Sequence, residues 1–78
     1  MKYSVETKYN GYVEILEVNG NKYLKRWEET EFGATCEDVD FCEQLEADGF
    51  NDEEFLDIVS NEIDNGFFAN YIYDISKL

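Results

Sequence analysis

Residues 9–27 read YNGYVEILEVNGNKYLKRW, and their two Asn-Gly pairs govern how the first half of the chain is read. Asn10-Gly11 and Asn19-Gly20 each suit a two-residue type I′ hairpin turn, which needs positive φ at both positions. Around Asn19-Gly20, Glu17 falls opposite Lys22, Glu14 opposite Lys25, and Tyr12 opposite Trp27. Two opposite-charge pairs facing one another support that register, because such cross-strand pairs stabilise a sheet. Around Asn10-Gly11 the same rule predicts Tyr9 facing Tyr12, Val5 facing Leu16, and Tyr3 facing Val18.

Together the hairpins make a three-stranded antiparallel meander with unlike faces. One face carries Tyr3, Val5, Tyr9, Tyr12, Leu16, Val18, Tyr23 and Trp27, interrupted by Glu14 and Lys25. It is the better core face. The other carries Lys2, Lys8, Lys22 and Arg26 around Val13, Ile15 and Leu24.

The second half opens with helices. Thr35 is placed to cap a helix from about Cys36 to Ala47, stopped by Gly49, with Val39, Phe41, Cys42 and Leu45 as its apolar arc. Asn51 with Glu54 forms a capping-box pattern for a second helix from Asp52 to about Asp64. Phe50 and Phe55 occupy the staple positions on either side, and Asn65-Gly66 is the expected stop. Phe55, Leu56, Ile58, Val59 and Ile63 form its apolar face, with Glu62 at the margin. The tail FFANYIYDI is rich in aromatic and β-branched residues and reads as a fourth strand, with Phe67, Ala69, Tyr71 and Tyr73 on one face. The expected fold is a single two-layer α+β domain over residues 1–78, in the order βββααβ.

The charge distribution bears on function. The chain has 78 residues, 19 acidic and 6 basic side chains, no histidine and a net charge of −13. From Glu28 to Asp64 there are fifteen carboxylates and no cation. With 44% hydrophobic and 17% aromatic residues the chain is not of the disordered acidic type. A phosphate lattice would repel it, so direct binding of nucleic acid is not expected. No apolar run approaches the roughly 20 residues of a membrane span. The stretch MKYSVETKYNG lacks a hydrophobic signal core. A cytoplasmic location is expected, with Cys36 and Cys42 reduced.

Catalysis is not expected. There is no histidine to serve as a base near neutrality, and a small two-layer domain offers little depth for a cleft that tunes paired carboxylates. Asp38, Asp40 and Glu43 resemble the start of a calcium loop, but its sixth position would be Glu43 rather than glycine and its twelfth Gly49 rather than glutamate. Neither a metal nor a cofactor is expected.

What remains is the acidic helical surface, with Glu37, Asp40, Glu43, Glu53, Glu54, Asp57 and Asp64 as candidate partner-binding residues. Neighbours three or four apart on a helix lie about 5–6 Å apart at Cβ, so their carboxylates can be spaced on the scale of successive phosphates along a nucleic-acid strand. A charge of −13 exceeds the magnitude of about 2–8 that solubility asks of a small domain, and crowded acids destabilise a fold by self-repulsion. In size and acidity the chain resembles the small acidic inhibitors of phages and mobile elements, including anti-CRISPR proteins and the inhibitor of uracil-DNA glycosylase. That resemblance implies blockade of the DNA- or RNA-binding channel of a bacterial defence protein, a CRISPR effector among them. The alternative expectation is a cytosolic immunity protein or antitoxin covering a basic nuclease toxin.

Overall fold

Asn19 and Gly20 both adopt positive φ, 49° and 84°, and close the tight turn between the second and third strands. The computed structural model describes the backbone of residues 1–77 and the side chains of residues 1–69. Strands β1 (Lys2–Lys8), β2 (Gly11–Val18), β3 (Asn21–Thr30) and β4 (Gly33–Cys36) form one antiparallel sheet in the order β1-β2-β3-β4. Helices α1 (Phe41–Ala47) and α2 (Glu53–Lys77) follow and cover one face. The order is therefore ββββαα, not βββααβ.

The β2–β3 register pairs Glu17 with Lys22, Glu14 with Lys25 and Tyr12 with Trp27, as the sequence predicts. The β1–β2 register differs from expectation by two residues: Lys8 pairs with Gly11, Tyr3 with Leu16 and Val5 with Glu14. The turn is Tyr9-Asn10, and Gly11 belongs to the strand. A Cβ on Gly11 would lie 2.0 Å from the Trp27 carbonyl oxygen, so this glycine serves the close approach of β3. A shift of two leaves the strand side chains on their expected faces, but Tyr9, expected on the core face opposite Tyr12, falls in the turn and is 99% exposed.

The fourth strand precedes the helices. β3 runs on to Thr30, and Gly33 (φ 114°) turns the chain back so that Thr35 pairs with Glu28. Phe32 N–H donates to Thr30 Oγ1 (3.2 Å), whose hydroxyl donates to the Gly33 carbonyl (2.7 Å), bracing the turn. Thr35 is thus a strand residue, and Asp40 caps α1 instead, accepting from Cys42 N–H (2.9 Å) and Glu43 N–H (3.3 Å). At the other end, Gly49 N–H reaches the Glu46 carbonyl and Phe50 N–H the Leu45 carbonyl, a Schellman stop. For α2 the capping side chain is Asp52, one residue beyond the predicted Asn51, accepting from Glu54 N–H at 3.1 Å. The Phe50 and Phe55 rings still meet, with centroids 6.0 Å apart.

Helix α2 does not stop at Asn65-Gly66. A Cβ on Gly66 would lie 2.5 Å from Tyr3 Cδ1, which shows how closely the Tyr3 ring packs on the helix there. One residue on, Phe67 reaches both Tyr12 and Trp27, each 6.0 Å away by centroid. Tertiary packing overrides the local stop signal, and the stretch from Phe67 that reads as a strand is helical. The side chains of Tyr71 and Tyr73 lie outside the described residues. Leu16, Val18 and Tyr23 from the sheet, Phe41 and Leu45 from α1, and Val59 from α2 form the core. Ile58, expected on the apolar face, is instead 57% exposed.

Glu14 is buried on the covered face at 4% exposure. Tyr3 O–H donates to one of its oxygens and Trp27 Nε1–H to the other, both at 2.6 Å. Tyr23 O–H donates to Asp48 at 2.5 Å and ties the end of α1 to the sheet. Burial, then the hydrogen bond to Glu14, raises the Tyr3 pKa, and the bond to Asp48 is the first cause of the rise at Tyr23.

Three outcomes follow for stability. Glu14→Gln places an amide N–H against a donor and should cost about 1–3 kcal/mol in urea unfolding followed by Trp27 fluorescence. Gly66→Ala should destabilise the wild type, yet stabilise a Tyr3→Ala background by up to about 1 kcal/mol, the ordinary helix preference for alanine. Both tyrosines hold their protons more tightly folded than unfolded, so their contribution is present below pH 10 and is lost as pH rises above it. The urea midpoint should fall above pH 10, and less steeply in Tyr23→Phe.

Candidate functional site

Glu53, Asp57, Ser60 and Asp64 stand at i, i+4, i+7 and i+11 along α2 and therefore share one stripe. At about 1.5 Å rise per residue the stripe is about 16 Å long. It edges the groove between the two helices. Glu53, Asp57 and Ser60 line an open cleft of about 360 Å³ with Cys42, Glu46 and Leu56. Ser60 and Asp64 continue into a second cleft of about 340 Å³, shared with Asp38, Asp40, Cys42, Glu14 and Lys25. Cys42 and Ser60 line both, so the two clefts adjoin and together make up the acid-lined groove. Lys25 is the one cation among its described lining residues, and its Nζ lies 5.4 Å from the centre of the Trp27 ring.

The candidate acids do not all gather there. Asp40, Glu53, Asp57 and Asp64 line the groove. Glu43 and Glu54 are exposed but outside the groove lining. Glu37 is not on a helix: it follows β4 and accepts from Arg26 Nη1 at 2.9 Å. That bond holds the Glu37 carboxyl below the usual carboxylate range. Asp40 spends one oxygen on the cap of α1. Glu62 is exposed.

Asp38 and Glu46, which the sequence places at the border of the first helix's apolar arc, line the groove but are not among the candidates, nor are Glu14 and Lys25. The signal for Glu46 is its place about 100° around α1 from buried Leu45, at the border of the apolar arc. A residue opposite the arc, such as Glu43, meets only solvent, whereas one at the border meets the neighbouring helix. Lys25 is announced by its register opposite Glu14.

Cys42 marks the groove floor. Burial raises its thiol pKa, and the negative charges of Asp40, Glu46, Asp57 and Asp64 push it further the same way. Such a thiol is a poor nucleophile. Its Sγ lies 3.9 Å from the Leu56 carbonyl oxygen. Among the described residues, no three acids or thiols come together as metal ligands. No described helix is long and apolar enough to cross a membrane. Comparison with protein-family models, with curated proteins and with solved structures finds no match to this chain.

Both thiols are free, Cys36 exposed and Cys42 partly buried. At pH 8, Cys36 should react with Ellman's reagent about tenfold or more ahead of Cys42. Glu46→Gln with Asp57→Asn should speed Cys42. Equal rates for the two thiols in the wild type would show that the groove neither covers nor charges Cys42 as described.

Proposed function

We propose that this protein inhibits a nucleic-acid-binding defence protein, a CRISPR effector in the first instance, by docking its acid-lined helical groove onto the basic channel that holds DNA or RNA. The observation carrying the reading is the Glu53–Asp57–Asp64 stripe with Asp40 and Glu46 alongside, mounted on helices fixed to one core. A preformed array of charges loses little freedom on binding and steers a basic partner by its field. The long uninterrupted helix keeps the carboxylates at set intervals, which a flexible acidic tail cannot do. The site of action is the host cytoplasm, where such effectors work.

Competition for a labelled target DNA bound to a purified CRISPR effector tests the reading. The wild type should displace the DNA, with potency falling as NaCl shortens the Debye length from about 10 Å at 0.1 M to about 3 Å at 1 M. The combined change Glu53→Lys, Asp57→Lys, Asp64→Lys should weaken displacement by about tenfold or more, since each exposed pair is worth up to about 1 kcal/mol. Lys8→Gln with Lys22→Gln, on the opposite face, should leave it intact. Full-strength displacement by the helix variant would sink the acidic-groove reading. Displacement from a basic nuclease toxin instead of the effector would favour the immunity-protein role.

A further inference from the structure

The sheet has a second face that no element covers among the described residues. Its centre is apolar: Val13 and Ile15 on β2 and Leu24 on β3, with Ile15 and Leu24 cross-strand partners. Leu24 is 39% exposed, while Val13 and Ile15 are half-buried beneath their neighbours.

The charges around that centre set this face apart. Lys8 pairs with Glu6 at 3.1 Å, Arg26 pairs with Glu37 at 2.9 Å, and Lys22 lies across from Glu17 in the ladder. Lys2 and Glu28 complete the set, in register positions on the same face. Four cations and four anions leave this face neutral, and the whole charge of −13 resides on the rest of the molecule. A partner recognised by charge, whether basic protein or nucleic acid, finds nothing here to steer it. A second copy of the chain is repelled by the net charge on the rest of the molecule, and that repulsion is weakest across this face. In an isologous interface one patch meets itself, so a face of strong single-sign charge opposes it and a balanced one does not. This face is a balanced one.

We infer that two copies of the chain associate back to back through the uncovered face, burying Val13, Ile15 and Leu24 and making an α/β/β/α sandwich. Two such sheets pack about 10 Å apart with strands within about 30° of alignment. The face measures about 15 by 25 Å from strand spacing and rise, which is below the roughly 800 Å² per partner of a standard interface. The dimer is therefore a weak one. The acidic grooves then face outward on opposite sides, so one dimer presents two of them. The inference is independent of what the groove binds.

Sedimentation equilibrium on the full chain tests it. At about 1 mM protein the wild type should be largely dimeric in about 0.5 M NaCl, with a dissociation constant at least about tenfold higher in about 0.05 M NaCl, because salt screens the repulsion between the two charged bodies. Leu24→Lys and Ile15→Lys each make the chain less negative and should still abolish the dimer; circular dichroism and Trp27 emission confirm their fold, and the exposed position of Leu24 protects at least that variant. The triple helix reversal, Glu53→Lys, Asp57→Lys, Asp64→Lys, should still dimerise and do so more tightly at low salt. A monomer at about 1 mM in both salts overturns the inference. So does a dimer that salt weakens, one that survives Leu24→Lys, or one that the helix reversal dissolves.

Discussion

Glu14 sits on the covered face of the sheet with both carboxylate oxygens occupied, one by the Tyr3 hydroxyl and one by the Trp27 indole. Removing a carboxylate from water is costly unless its lone pairs are met, and here two neutral donors on the flanking strands meet them. The two donors are also the rings that seat α2. Tyr3 lies against Gly66, and Trp27 stacks on Tyr12 at 5.4 Å, where Phe67 joins them. One buried charge thus sets the positions of β1, β2, β3 and the second half of the long helix.

The acidic groove depends on that seating. Had α2 ended at Asn65-Gly66, Asp64 would stand at a frayed terminus, where a negative charge opposes the helix dipole. Because the helix continues to Lys77, Asp64 is an interior position spaced regularly with Asp57 and Glu53. The Tyr23 bond to Asp48 and the Schellman stop at Gly49 fix the other wall. The carboxylates facing the groove are held apart by backbone geometry, although they repel one another.

Much of the β2–β3 hairpin was legible because Asn19-Gly20 needs an unusual backbone and the charges across it agree. Local rules failed where glycine had another use. Gly11 and Gly66 both look like turn glycines, yet each is present because something packs where a side chain would be: the Trp27 carbonyl in one case and the Tyr3 ring in the other. Contacts of that kind join residues far apart in sequence and leave no local signal. β4 was hidden for another reason, being four exposed residues with no apolar alternation. The misplaced β4 carried Glu37 into the candidate set as a helical acid, when it belongs to the sheet and to Arg26. Asp57, Glu53 and Asp64 were legible because helical periodicity over residues 53–64 is strong, whereas on the opposing wall only Asp40 was among the candidates and Glu46 required the α1–α2 contact itself.

Charge on a helix surface and packing at its seat tolerate mutation very differently. Aspartate and glutamate can exchange at positions 46, 53, 57 and 64, or move to a neighbouring turn, and the field of the groove hardly changes. Positions 3, 14, 27 and 66 have no such latitude, since each is shaped by the others. Lineages carrying this fold would therefore drift quickly along the acidic stripe while holding that quartet. Kinship among them is better sought in the spacing of Tyr3, Glu14, Trp27 and Gly66 than in overall identity.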